Sequence, residues 1–371
     1  MILVPLRRAA VVVMAALAAL VALAAPAAAH GADAPDGTDY RAEVTALAPA
    51  RSGLTVRVVE AGARLELINR TGRDVEVLGY SGEPYLRVGP GGVYENSRSP
   101  ATYLNQTIAG DTTLSPEADP AAAPVWSRIA KGQSTRWHDQ RALWLDSSPP
   151  AQVSADPGRP QRVRDWVVPL RDGDQTIEVR GTLDWVPPPD AYPWWVAATL
   201  AFLAIAAAGL APAGTATGVR TLRGVGALLA LGGLATVAFT IGRELDAGAD
   251  GLGGVLLGLI NGQVWMLLTG LGAIAAGGYA LARREAADFA LALAGASLAI
   301  FAGFANVAML SRSVVPMVWP PTAARVLVVL ILATGTGALG AGILRLHAAS
   351  RAATTTRPPQ PTPNPPLTRP R

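Results

Sequence analysis

Two patterns of apolar spacing divide the chain. Between residues 40 and 188, apolar and polar positions alternate in short runs, and helical spacing is almost absent. In "LTVRVVEAGARLELINRTGRDVEVLGY", Leu54, Val56 and Val58 share one face of a strand. Leu65 and Leu67 share the next, and Val75, Val77 and Gly79 a third. Gly62 and "NRTG" supply turns between them. Further on, "VRDWVVPL" and "QTIEVRGTLDWVP" flank "RDGD", a hairpin signal. About seven to nine short strands with regular turns predict an all-β sandwich of immunoglobulin-like type. Residues 111–124 and 147–161, rich in Pro, Asp, Ser and Ala, read as loops. "VPPPDAYP" (186–193) reads as a short stiff linker that holds the sandwich close to a membrane.

From residue 193 the apolar residues run together. Five spans, near 194–213, 222–242, 255–281, 287–310 and 323–346, each reach the length of about 20 residues that a helix needs to cross a bilayer. The Gly-rich start of the third suggests a segment that tilts or lies at the interface. Pro193, Trp194 and Trp195 mark the edge of the first. "GVGALLALGG", "GLGAIAAGG" and "GTGALGAG" allow close helix packing. Asn261, Gln263 and Asn306 can hydrogen-bond between helices, while Arg243, Asp288 and Arg325 sit at span ends, within reach of the interface. Met266, Met309 and Met317 read as packing residues.

The chain begins with a signal-peptide pattern over residues 1–29. Arg7 and Arg8 precede an apolar run, and Ala27 and Ala29 offer a small-residue cleavage site. Cleavage there would leave His30 first; an uncleaved anchor is the alternative. Nine arginines in the tail and the loops on its side stand against three on the other side. The positive-inside rule therefore predicts a plasma-membrane protein with an extracytoplasmic domain over 30–192, helices over 193–346 and a cytoplasmic tail over 347–371. The Pro- and Arg-rich tail is expected to be disordered, and it could dock a cytoplasmic partner.

Charge sharpens the division. Residues 30–192 carry 17 basic and 22 acidic residues, while the rest of the chain carries 14 and 5. The basic excess lies in the leader, loops and tail, so a nucleic-acid surface is not expected. There is no cysteine, which excludes disulfides and thiol chemistry. No phosphate-loop, dinucleotide or zinc-protease motif occurs, and no serine elbow that His138 and Asp139 could serve, so no enzymatic activity is expected.

Two segments gather candidate site residues. "GYSGEPYLRV" holds Tyr80, Glu83, Tyr85 and Arg87. Glu83 and Arg87 could pair across a turn, and the tyrosines could form a binding face or cover a sheet edge. "STRWHDQRALWLD" holds Trp137, His138, Asp139, Arg141 and Trp144, either a tryptophan-packed turn or part of a site.

"LGYSGEPYLRVGPGGVYENSRSPATYLN", "WHDQRALW" and "GTLDWVP" resemble a family of uncharacterised actinobacterial membrane proteins. That family's central motif tends to read His-Asp-His-Arg-x-His-Trp, and Gln140 and Leu143 stand here where it has histidines. The resemblance implies membership rather than an activity. A weaker likeness, to exported copper-binding sandwich domains, implies that His30, with its free amine, and His138 could hold Cu(II). The resulting expectation is a non-enzymatic module in contact with the bilayer that binds an envelope protein or cell-wall ligand. The alternative is copper handling through His30 and His138. A transporter reading lacks its usual mark, an ionisable residue in mid-span.

Overall fold

The computed structural model describes residues 37–355. The expected signal peptide, His30 and the end of the tail lie outside them.

Among the described residues, ten strands form two antiparallel sheets. They are β1 (Tyr40–Ala48), β2 (Leu54–Val59), β3 (Arg64–Asn69), β4 (Val75–Leu78), β5 (Pro84–Gly89), β6 (Gly92–Asn96), β7 (Trp126–Ala130), β8 (Ser134–Trp137), β9 (Gln161–Asp172) and β10 (Gln175–Trp185). The larger sheet runs β1-β10-β9-β4-β5-β6-β7 and the smaller β2-β3-β8, a more unequal division than the four and three strands of a constant-type immunoglobulin domain. Alternation explains the layering. Val75, Val77, Leu86, Val88, Val168 and Leu170 from the larger sheet meet Leu54, Val56, Leu65 and Leu67 from the smaller in one core. The β9–β10 hairpin closes at the pair Asp172–Gln175. Its first loop residue, Gly173, has φ +62°, which a glycine adopts at no steric cost. Two short helices punctuate the loops: α1 (Pro100–Leu104), capped by Ser99, and α2 (Ala151–Ala155), inside a segment expected to be irregular.

The helical half holds α3 (Tyr192–Ala207), α4 (Ala216–Asp246), α5 (Gly251–Gly262), α6 (Val264–Leu281), α7 (Ala287–Leu298) and α8 (Pro321–Thr355). Helical turns extend α3 to Leu210 and α7 to Leu310. Among the described residues, five stretches are long and apolar enough to cross a membrane: 192–210, 216–246, 264–281, 287–310 and 321–351. The third expected span is in fact two helices. The chain breaks at Gln263, and α5 stands apart as a 12-residue helix. Its glycines at 251, 253, 254, 258 and 262 each cost about 1 kcal/mol of helix propensity relative to Ala, so little holds α5 and α6 as one rod. Helix α8 continues through residues 347–355, where a disordered tail was expected to begin.

Small residues set the helix spacing. A Cβ at Gly295 would come within 2.6 Å of Gly335 O, and one at Gly335 within 2.8 Å of Ala299 N, so α7 and α8 touch along bare backbone. The charged residues at the span ends turn inward rather than out. Arg243 is buried and donates to Asn306 Oδ1 at 3.0 Å. Arg325 donates to the carbonyls of Met309 and Arg312, and Arg345 pairs with Asp288 at 2.6 Å. Each spends its guanidinium on another part of the bundle, because a buried charge without partners is costly. Met266, Met309 and Met317 pack in the core of this half.

The two halves meet along a polar seam. Asp39, only 4% exposed, accepts from Arg312 Nη1 at 2.6 Å, Ser313 N at 3.0 Å and Ser313 Oγ at 3.2 Å. Thr38 and Val314 form a β-bridge beside it, and Ser313 Oγ also donates to Val186 O. On the other side of the seam, Ala61 N donates to Asp246 Oδ2 at 3.2 Å.

Candidate functional site

Residues 78–105 and 137–142, which hold the candidate site residues, converge, and they converge inward. Glu83, 5% exposed, accepts from Ser81 N at 2.9 Å and from Ser99 Oγ at 2.6 Å. Ser99 in turn caps α1, whose far end carries Asn105. The Tyr80 hydroxyl donates to Asn105 Oδ1 and accepts from Gln140 N at 3.1 Å. Arg141 lies over the Tyr80 ring at 5.0 Å and donates to Leu78 O at 3.1 Å. Asp139 is at the hub. It takes a two-pronged contact from Arg141 Nε and Nη2, both at 2.8 Å, together with the Arg141 N–H at 3.1 Å and Trp137 Nε1 at 3.0 Å. Residues 78–105 and 137–142 thereby lock β4, α1 and β8 to one another.

The electrostatics follow. Burial and the charge of Asp139 push the Tyr80 hydroxyl up to about 12. Burial, reinforced by Glu95, raises Tyr85 well above the usual tyrosine range. Burial works against the charge on Arg141, but the hydrogen bonds and charge of Asp139 hold its pKa raised. These groups keep their resting protonation across the physiological range, which suits a structural network and offers no general acid or base.

The remaining candidate residues are placed as follows. Tyr85 is a core residue, 3% exposed, and presents no binding face. Glu83 and Arg87 do not pair. Residues 84–89 are extended, and at about 3.3 Å of rise per residue the two lie roughly 13 Å apart along the chain. Arg87 instead sits between the rings of Tyr94 and Trp126, at 4.7 and 4.6 Å, with Asp74 at 4.0 Å. Trp137 is buried. Trp144 is half-buried, stacked on Tyr40 at 6.0 Å, with its Nε1 donating to Ser148 O. His138 is 2% exposed and its Nδ1 is 2.7 Å from Ala63 O, so Nδ1 carries the proton. Its suggested partner, His30, lies outside the described residues. Among the described residues no group of three His, Asp or Glu side chains is placed to hold a metal.

What the sequence reading missed lies at the seam. A groove of about 670 Å³ opens between β3 and β8 on one side and the α4–α5 corner on the other. Its upper wall is a charged rung. Glu66 is directly opposite Arg57 on β2 and Arg136 on β8, and it binds both guanidiniums, Arg136 at 2.9 Å. A central position in the three-stranded sheet brings Glu66 to 3% exposure, so the two arginines are what make its burial tolerable. Arg70 stands further along that wall, and Glu244, Asp250 and Asn261 face it from the bundle. The only trace of this in the sequence is the polar member of each alternating strand, which does not reveal cross-strand register. No family model, curated protein or solved structure matches this chain, so its relationships rest on its own residues.

Proposed function

We propose that this chain is a multi-pass envelope protein whose extracytoplasmic β-domain is a non-enzymatic binding or assembly module, with the groove at the seam as its site. The supporting observation is that the groove is built half by the β-domain and half by the bundle, while Asp39, Arg312 and Ser313 tie the two halves together. A concave, charged surface built this way, with a volume of about 670 Å³, has the form of a binding site. The motifs at 78–105, 137–144 and 181–187, and with them kinship to the actinobacterial family, belong in this reading to the framework behind the groove. The copper reading depends on His30, which lies outside the described residues, and on His138, which is buried with its Nδ1 at Ala63 O.

The test places a photo-crosslinking residue at Ser134, exposed on the groove wall, in the full chain in its native membrane. A discrete adduct that is abolished by the groove-filling change Gly258→Leu supports the reading. An adduct pattern that Gly258→Leu leaves unchanged overturns it.

A further inference from the structure

The charges around the groove are segregated. On the β-domain wall, Arg57 and Arg136 share the single carboxylate of Glu66, which leaves one positive charge in surplus. Arg70 adds a second, since it forms no ion pair among the described residues. On the bundle wall, Glu244 and Asp250 form neither an ion pair nor a side-chain hydrogen bond among the described residues. Arg136 and Glu244 both line the groove and form no ion pair with each other, while at Gly248 the two walls close on one another beside Arg57 and Glu66.

The bundle wall is shaped for this. Glu244 lies against α5, where a Cβ at Gly258 would collide with its Oε2 and one at Gly262 would come within 3.3 Å of Oε1. Bare backbone therefore makes room for the carboxylate, and α5 carries glycine at those turns despite the cost in helix propensity. The opposite side of α5 is apolar. Leu252, Leu256 and Ile260 recur every four residues and are 85%, 59% and 62% exposed. A 12-residue helix is roughly 18 Å long, too short to cross a hydrocarbon layer of about 30 Å, and such a stripe suits a helix lying at the lipid–water boundary. Leu257, 62% exposed, also lines the groove, so the groove opens toward that boundary.

We infer that the groove binds an aminoalkyl phosphate, with its primary ammonium between Glu244 and Asp250 and its phosphate toward Arg70 and Arg136. This deepens the binding-module reading and rests on it. An ammonium offers three donors to carboxylates that have none, and a guanidinium meets phosphate oxygens with paired N–H groups. A ligand carrying both charges satisfies both walls. The same chemistry can come from two sources, an ethanolamine phospholipid of the adjoining leaflet or a soluble aminoalkyl phosphate.

The experiment uses the full chain. In one arm it is placed in nanodiscs containing ethanolamine, glycerol and choline phospholipids, and the lipids retained after delipidation are counted by phosphorus NMR. In the other arm, phosphoethanolamine is titrated calorimetrically into the detergent-solubilised protein, with ethanolamine and inorganic phosphate as controls. Selective retention of the ethanolamine lipid, or binding of phosphoethanolamine above both controls, supports the inference and identifies the source. Glu244→Gln with Asp250→Asn should weaken whichever is found by roughly tenfold or more, the worth of a charge-assisted hydrogen bond. Arg70→Gln, at an exposed position that bears no packing, should weaken it as well and serves if the double variant misfolds. Equal retention of all three lipids together with no selective titration overturns the inference, as does wild-type binding by Arg70→Gln. A Ser134 adduct sensitive to Gly258→Leu alongside that failure would leave the binding module standing and remove only the ligand assignment.

Discussion

Replacing Asp139 by alanine tests whether the tryptophan-flanked motif is architecture or a binding site. The Asp139 side chain is fully buried, and that of Arg141 is 21% exposed. Asp139→Ala leaves the guanidinium of Arg141 without its anion and the Trp137 Nε1–H without its acceptor. Breaking one side of a buried pair costs about 3–5 kcal/mol, and an orphaned buried N–H costs about 1–3 kcal/mol, partly the same desolvation counted twice. We therefore expect a loss of about 4 kcal/mol, which for a domain of this size lowers Tm by roughly 8–16 °C. The β-domain has its own core, so the measurement can be made by guanidinium denaturation of residues 37–190, followed by near-ultraviolet circular dichroism. The double variant Asp139→Ala with Arg141→Met removes the orphaned cation and should recover about half of the loss. A single-variant loss below about 1 kcal/mol would refute the reasoning, and so would strict additivity in the pair. A motif that served a ligand instead would keep its stability and lose binding.

The other predictions address topology, acid stability and packing. Lys131, the only lysine in the chain, is exposed in the β7–β8 turn. A membrane-impermeant amine reagent should modify it on intact cells, read as a labelled Lys131 peptide that Lys131→Arg lacks; a labelled Lys131 peptide only after permeabilisation would put the β-domain on the cytoplasmic side. Burial opposes the charge on Asp172, but hydrogen bonds from Arg51 and Arg73 outweigh it and hold the carboxyl below the usual aspartate range. Its contribution to stability is complete above the unfolded value of about 3.9 and is lost as pH falls through the lower folded value. The β-domain should accordingly lose stability below about pH 4, and the slope of its acid unfolding should flatten in Asp172→Asn. Asp39→Ala removes three hydrogen bonds of the seam and should speed proteinase K cleavage in the 186–191 linker of the full chain; an unchanged rate would show that other contacts hold the domains together. Gly335→Leu should lower the thermal aggregation temperature in detergent by several degrees, since its side chain would meet the α7 backbone near Ala299.

Much of the architecture was legible because it is written locally. Leu54, Val56, Leu65 and Leu67 alternate, and they are the inner face of the small sheet. Five apolar runs match five helices by length alone. Where two local rules competed, the reading failed. The third span had enough apolar residues to be one helix, but its glycines and Gln263 divide it. Glu83 and Arg87 were close enough in sequence to pair across a turn, yet the segment is extended and each found a partner from another part of the chain: Ser99 for Glu83, and Tyr94 and Trp126 for Arg87.

By itself the sequence determined the order of the two halves, the strand and helix periods, the apolar spans and the absence of thiol chemistry. These depend on residues a few positions apart and on composition, which backbone geometry and transfer energies translate directly into structure. Only the tertiary structure decided that Tyr80, Glu83, Asp139 and Arg141 face one another in a closed network. It alone set Glu66 between Arg57 and Arg136, and brought Glu244 and Asp250 opposite Arg70. Those outcomes depend on strand register and on how one domain seats on the other, and both are settled by contacts between residues tens to hundreds of positions apart.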